Sequence, residues 1–165
     1  MKKFELTSEF ITNIFGTKLF RIKALIEFGN VKAGELGGFV EKEENLNHEG
    51  NAWVYGNAEV YGNARVYGNA SVYGNAWVYG NARVCDDARV YGNADYATVH
   101  GFGSEYRTTT FFKTKAGEIG VRCGCFYGNL SEFRKKVVET HGETKKAKEY
   151  LMLADLMEFR FSDNS

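Results

Sequence analysis

Proline is absent from this 165-residue chain, and neither sign of charge dominates, since 21 basic residues balance 21 acidic ones. Without proline, the tight corners of the fold must be made by glycine, of which there are 19. The balanced charge argues against a DNA mimic, which would be strongly acidic, and against a non-specific DNA binder, which would be strongly basic. We therefore expect no nucleic-acid partner.

Cysteine is scarce, and long apolar runs are missing. Three cysteines form an odd set that argues against a disulfide framework and favours a reducing compartment such as the cytosol. No stretch approaches the roughly 18 apolar residues that cross a bilayer. Polar residues, among them Glu5 and Ser8, follow the basic start where a signal peptide would be apolar. The chain is therefore predicted to be cytoplasmic, with no membrane contact.

What the sequence does contain is a six-residue repeat that starts at Asn51. It reads NAWVYG, NAEVYG, NARVYG, NASVYG, NAWVYG, NARVCD and DARVYG, and its alanines recur in strict register. These are Ala52, Ala58, Ala64, Ala70, Ala76, Ala82, Ala88 and Ala94. A period of six does not fit an α-helix, whereas Ala-x-Val alternates as a strand does and Gly-Asn suits a corner. Three such units would close one triangular coil of about 18 residues, and the coils would stack through parallel pairing.

The predicted fold is therefore mainly β, with a triangular hexapeptide-repeat β-solenoid of three to four coils over residues 34–104. Both ends of such a solenoid are open sheet edges that need a cover. Residues 1–33 contain short alternating stretches and are predicted to be N-terminal cap strands. Residues 105–165 are predicted to form a C-terminal cap or a small second domain.

This C-terminal region shows the pattern of a β-hairpin followed by two helices. The hairpin pairs residues 107–114 with residues 119–126, and its second strand turns both Cys123 and Cys125 towards a core. Asn129, followed three residues later by glutamate, predicts the start of the first helix. Together these elements form a ββαα unit.

The repeat also predicts which side chains face outward. Alanine and valine fill the narrow interior, so the variable residue and the tyrosine of each unit lie on the surface, and both tryptophans are predicted to be exposed. Tryptophan, tyrosine and arginine are enriched at protein-binding hot spots. The candidate binding residues are Trp53, Tyr55, Arg65, Tyr67, Trp77, Tyr79, Arg83 and Arg89. The alternative is that the tyrosines only shield the coil edges and the variable residues are merely solvated.

The residue types that carry chemistry do not form a recognisable motif. The three histidines are isolated, and Cys123-Gly124-Cys125 lacks the spacing of a zinc pair and has no second pair to complete it. We therefore predict no catalytic residue, no metal and no cofactor. His48, which falls in the valine register, is read as a plug of the solenoid interior, and His100 is the only histidine placed to serve as a base in an enzymatic reading.

Two resemblances add to these predictions. The tandem Val-Tyr-Gly-Asn-Ala-x unit is similar to the hexapeptide repeat of left-handed β-helix proteins, although tyrosine follows valine where that family has a small or acidic residue. More specifically, the entry segments 34–41 and 45–55 and the tail segments 109–112, 123–126 and 139–142 resemble phage and prophage hexapeptide-repeat proteins. The handedness of the solenoid stays open.

The closer resemblance implies an accessory protein of a bacterial virus. Our leading hypothesis is a non-enzymatic protein-binding module that inhibits a host protein or a defence system such as a CRISPR effector. One alternative is a hexapeptide-type acyltransferase that uses acyl-CoA and His100, and another is a structural or virion-associated scaffold. Whether the chain forms a homo-oligomer is left open.

Overall fold

The structure, a computed structural model, describes residues 2–162, which divide into two compact units with a boundary between Asn93 and Ala94. The fold is mostly β, and two helices follow at its C-terminal end, as predicted. Between residues 2 and 162, no helix is both long and apolar enough to cross a membrane.

The first unit consists of three N-terminal strands and seven two-residue strands. The N-terminal strands are β1 (Phe4–Thr12), β2 (Lys18–Ala24) and β3 (Leu36–Val40). The short strands are β4 (Trp53–Val54), β5 (Glu59–Val60), β6 (Arg65–Val66), β7 (Ser71–Val72), β8 (Trp77–Val78), β9 (Arg83–Val84) and β10 (Arg89–Val90). Each hexapeptide thus supplies one short strand, as the alternation of alanine and valine predicts.

The short strands pair in parallel with partners 18 residues away, for example Glu59 with Trp77 and Arg65 with Arg83. This stagger yields three ladders: ladder 1 joins β4, β7 and β10, ladder 2 joins β3, β5 and β8, and ladder 3 joins β6 and β9. Antiparallel pairing adds β2 and then β1 to the β3 end of ladder 2. The β-solenoid prediction is confirmed at this level, with the ladders forming separate open sheets.

Buried alanines and valines fill the interior, and glycines make the corners. At five of these corners an alanine N–H donates to the carbonyl of the tyrosine three residues earlier, as Ala58 does to Tyr55 at 3.2 Å. At the next corner Ala88 donates to Cys85 instead, and Asp86, with φ +52°, takes the position of the glycine. Between Tyr55 and Ala58, Gly56 has φ +60°, whereas Asn57 does not enter the left-handed region. Positive φ at the first central residue alone is the type II′ pattern, so glycine rather than asparagine carries the turn.

Lys3 covers the carbonyls left open at the first strand of ladder 1. Within a ladder, the inter-strand carbonyls accept from an N–H of the preceding coil, as Ala70 does from Trp53 at 3.1 Å. Gly50 and Ala52 precede β4, which is the first strand of ladder 1. The Lys3 ammonium donates to the Ala52 carbonyl at 2.7 Å and to the Gly50 carbonyl at 3.3 Å. It also lies 4.6 Å from the Phe28 ring centroid. Burial lowers the pKa of Lys3 to about 8, because the charged form loses hydration.

The other two ladders have their own N-terminal covers. On ladder 3, the Asn45 amide donates to the Ala64 carbonyl at 2.9 Å and to the Gly62 carbonyl at 3.2 Å. Asn45 ends the 3₁₀ turn Glu43–Asn45 and is fully buried. On ladder 2, β3 pairs directly with β5. The N-terminal segment therefore closes this end of the solenoid, which is how proteins manage exposed sheet edges.

The second unit is an antiparallel sheet followed by two helices. Its elements are β11 (Tyr96–Phe102), β12 (Arg107–Lys113), β13 (Ile119–Cys123), β14 (Phe126–Asn129), α1 (Leu130–His141) and α2 (Lys145–Arg160). The strands pair in chain order, so the predicted hairpin is the centre of a four-stranded meander. Residues 96–102, which the repeat pattern assigned to the solenoid, pair with β12 instead. A further 3₁₀ turn, Asn93–Asp95, lies at the boundary of the units.

Local sequence signals set the helix ends in this unit. The Asn129 side chain accepts from the Glu132 backbone N–H at 2.8 Å, and the Glu132 carboxylate accepts from the Asn129 N–H at 2.9 Å. This confirms the predicted capping box. Thr144 caps α2 in the simpler way, by accepting from the Ala147 N–H. One buried cluster ties sheet and helices together; it includes Phe111, Val121, Leu130, Phe133, Val137, Ala147, Tyr150, Ala154 and Met157.

Candidate functional site

The two tryptophans occupy opposite environments, although both stand in the same NAWVYG unit. Trp53 is 0% exposed, and its ring meets Phe4 and Phe28 edge-on at centroid distances of 6.3 and 5.3 Å. The prediction that Trp53 is exposed is therefore wrong. Trp53 lies on the first strand of ladder 1, where the N-terminal segment covers it. Trp77 is 40% exposed, as predicted.

Ladder 1 uses its other candidate residues for internal packing. The rings of Tyr55, Tyr73 and Tyr91 stack in one column with 4.6 Å between successive centroids. Arg89 donates to the Tyr73 hydroxyl at 2.9 Å. Burial and the neighbouring Tyr73 raise the pKa of Tyr55. Tyr55 and Arg89 are half-buried in this arrangement, so they contribute mainly to the column itself.

Ladder 2 presents the most exposed aromatic side chains among the candidates. Tyr79 is 48% exposed and stacks on Tyr61 at a centroid distance of 5.3 Å with nearly parallel planes. The indole N–H of Trp77 donates to the Glu59 carboxylate on the neighbouring strand. Burial raises the pKa of Glu59, and this hydrogen bond opposes the shift. Trp77 and Tyr79 are therefore held in place while a large part of each ring stays accessible.

Ladder 3 adds two exposed arginines, Arg65 and Arg83, on paired strands, with Tyr67 half-buried beside them. Only one corner separates this ladder from ladder 2, and the corners of successive coils stack. The Asn63 N–H, for example, donates to the Gly80 carbonyl at 2.9 Å.

Aromatic and cationic residues thus follow one another around this corner in two adjacent coils. We call this set the Trp77 surface; it comprises Tyr61, Arg65, Trp77, Tyr79 and Arg83. Arg65 and Arg83 add two exposed cationic groups to the aromatic side chains of this surface. Tyr61 is the member that the list of candidate residues left out. The sequence feature that could have identified Tyr61 is its position 18 residues before Tyr79, which places the two rings in one column.

The histidines that a catalytic reading would need lie apart and take structural contacts. His48 accepts from the Lys3 backbone N–H at 3.0 Å and stacks on Phe4 at 4.3 Å. Burial lowers the pKa of His48. His100 belongs to β11 of the second unit, where its Nδ1 lies 2.8 Å from the Thr108 hydroxyl. In residues 2–162, no three histidine, cysteine, aspartate or glutamate side chains converge as a metal site would require.

The three cysteines differ in how far they are buried. Cys85 is buried in the solenoid, and Cys123 is half-buried against the core of the second unit. Cys125 is exposed, so the prediction that it faces a core is wrong. The strand ends at Cys123, and Gly124, with φ +58°, starts a two-residue turn that points Cys125 outward.

Comparison with known proteins agrees with the solenoid alone. The chain is similar to the YdcK beta solenoid repeat, whose family model matches residues 58–74, 64–80 and 82–94. These matches cover β5 to β10 of the solenoid and leave the N-terminal strands and the second unit unmatched. A search of curated proteins found no significant match.

Proposed function

We propose that this chain is a non-enzymatic protein-binding module that contacts its partner through the Trp77 surface. The observation that carries the proposal is the exposure of Trp77, at 40%, on the paired strand β8 and of Tyr79, at 48%, directly after that strand. Large apolar side chains exposed together on a rigid element mark interaction surfaces in soluble proteins.

Rigidity is the physical advantage of this arrangement. Tyr79 is stacked on Tyr61, and Trp77 is hydrogen-bonded to Glu59, so these rings are ordered before any partner arrives. A pre-ordered surface loses less side-chain entropy on association, which leaves more of the contact energy for affinity. Tyrosine, tryptophan and arginine together are the residue types that dominate binding hot spots.

The proposal includes the shape of the solenoid and the setting in which it acts. Three ladders with an 18-residue stagger support a triangular cross-section of three to four coils, with one ladder to each side. The resemblance to phage hexapeptide-repeat proteins supports a host protein as the partner, in the bacterial cytoplasm, with inhibition of that protein or of a defence system as the outcome. The partner surface is expected to offer aromatic or acidic side chains to Arg65 and Arg83.

Affinity capture tests this function. The tagged full-length chain is incubated with a bacterial lysate beside the double variant Trp77→Ala/Tyr79→Ala. A matched control is Phe159→Ala, which removes an aromatic ring that is 79% exposed on α2 of the second unit. We expect one stoichiometric protein with the wild type and with Phe159→Ala, and its loss with the double variant.

Other results separate the alternatives. If the double variant still captures the stoichiometric partner, the contact lies outside the Trp77 surface and this assignment is wrong. If no protein is captured, and the chain is instead a trimer that binds acyl-CoA, the acyltransferase reading replaces the proposal. Self-assembly into larger particles without a captured partner would favour the scaffold reading.

A further inference from the structure

The second unit contains a cavity of about 210 Å³ beside the β13–β14 turn, lined by residues of the sheet and of both helices. This volume lies below the roughly 300–1,000 Å³ of pockets for drug-sized molecules, so only a small ligand fits. All its lining residues belong to the second unit, whereas the Trp77 surface consists of residues of the first.

One wall of the cavity is apolar. Phe126, Phe133 and Val137 line it, and the Phe126 and Phe133 rings lie 5.8 Å apart. Tyr150 meets Phe133 edge-on at 5.6 Å and extends this wall. Such a wall favours a ligand with an aromatic or branched aliphatic body, because burying apolar area removes it from water.

The lining of the cavity also includes polar side chains, and cationic groups predominate among the charged ones. Arg107 and Lys136 both line it, together with His141. The one carboxylate in the lining, Glu105, lies 3.8 Å from the Arg107 guanidinium and its side chain is 69% exposed. Arg107 and Lys136 outnumber this one carboxylate, so the lining keeps a net positive charge. The cavity therefore favours an anion.

Two glycines make room for the polar groups of this site. Gly124, at φ +58°, lies so close to the Arg107 guanidinium that a Cβ atom at this position would clash with it. A Cβ atom at Gly103, which has φ +80°, would likewise clash with the Tyr150 hydroxyl. Tyr150 also lies 3.7 Å from the Cys123 sulfur. Burial raises the pKa of Tyr150 well above its ordinary value, so the hydroxyl stays protonated and able to donate.

From this combination we propose that the cavity binds a small organic anion, in which a carboxylate faces Arg107 and Lys136 while an aromatic or branched aliphatic body packs on Phe126, Phe133 and Val137. A planar guanidinium suits a carboxylate through paired hydrogen bonds. The site is independent of the proposed protein-binding function.

Two cysteines of the chain provide a direct readout. Cys123 lines the cavity, whereas Cys125, two residues later, is exposed in the turn outside it. The full-length protein is alkylated with N-ethylmaleimide, and the two sites are quantified by peptide mass spectrometry. We expect 3-phenylpropionate to slow alkylation of Cys123 in proportion to occupancy and to leave Cys125 unchanged. Equal slowing at both cysteines, or none at Cys123, would overturn the proposal.

Matched probes and variants test each half of the ligand. The neutral 3-phenylpropan-1-ol keeps the body without the charge, and inorganic phosphate keeps a charge without the body. Both are expected to protect Cys123 less than 3-phenylpropionate at equal concentration, and equal protection by either would contradict the assigned ligand class. Arg107→Gln should lower the affinity for 3-phenylpropionate by about tenfold, because it removes one charge-assisted hydrogen bond. Lys115→Gln, in an exposed turn outside the cavity, is the control and should leave the affinity unchanged. An unchanged affinity in Arg107→Gln would also overturn the proposal.

Discussion

At the scale of single residues, the environment of a repeated side chain depends on what lies one coil away. Trp53 and Trp77 share the same hexapeptide, yet one is buried and the other is 40% exposed. The periodicity correctly gave the outward direction of Trp77. It could not show that Phe4 and Phe28, distant in sequence, would cover Trp53, because a repeat pattern holds no information about which flanking segment folds back onto it.

Lys3 leads to a prediction about the pH dependence of stability. Its pKa is about 8 in the folded chain, against 10.5 for an ordinary lysine, so between these values the unfolded chain binds more protons than the folded one. Stability therefore rises with pH through this window, with a slope on the order of 1 kcal/mol per pH unit from this residue. We expect Lys3→Met to remove that rise in the free energy of urea unfolding measured from pH 8 to pH 10.

The neighbouring lysine provides the control for this measurement. Lys2 is 65% exposed and pairs with Glu43 at 3.0 Å. Lys2→Met should therefore keep the wild-type slope. The tyrosines with raised pKa values also affect the pH dependence of stability, but only near pH 10. Because all three proteins contain these tyrosines, their contribution is the same in each and does not affect the comparison of slopes. Identical slopes for wild type and Lys3→Met would contradict the account of Lys3 as a buried, charge-disfavoured cap.

At the scale of elements, the corners of the solenoid differ in how closely they stack. Gly68 and Gly80 share φ +67°. A Cβ added to Gly68 would lie 2.7 Å from the Asp86 backbone nitrogen, whereas one added to Gly80 would meet nothing within 4 Å. Both Ala variants adopt an unfavourable left-handed conformation, which costs roughly 1 kcal/mol.

This matched pair separates backbone strain from coil stacking. Gly68→Ala should lose a further 1–3 kcal/mol, approximately, because the backbone of the next coil must move. The measurement is the free energy of unfolding of both variants by urea titration. Equal losses would show that the coils are not stacked as tightly at this corner as the structure indicates.

Local patterns predicted elements better than they predicted pairing partners. The short strands, the corners and the capped helix α1 follow from signals within six or fewer residues, and all are present. The predicted hairpin accounts for only half of this sheet, because β11 and β14 pair with its two strands from either side. Residues 96–102 still resemble the repeat after a shift of three residues, and only long-range pairing with β12 decides that they leave the solenoid.

At the scale of the whole molecule, the sequence indicated a surface for binding but not its extent. Of the candidate residues, Arg65, Trp77, Tyr79 and Arg83 come together around one corner, whereas Tyr55 and Arg89 are committed to the tyrosine column. The cavity of the second unit could not be predicted, because its walls come from three strands, two helices and the β11–β12 loop, whose packing no local pattern specifies.

The most direct measurement for the central claim is acrylamide quenching of each tryptophan. Trp53→Phe leaves Trp77 as the sole indole, and it removes a buried indole nitrogen that has no hydrogen-bond partner among residues 2–162. Trp77→Phe leaves Trp53. In the free protein, Trp77 should be quenched readily and Trp53 weakly. When the captured partner is added, quenching of Trp77 should fall and that of Trp53 should not change. A stoichiometric complex in which Trp77 is quenched as readily as in the free chain would contradict the assignment of the Trp77 surface as the contact.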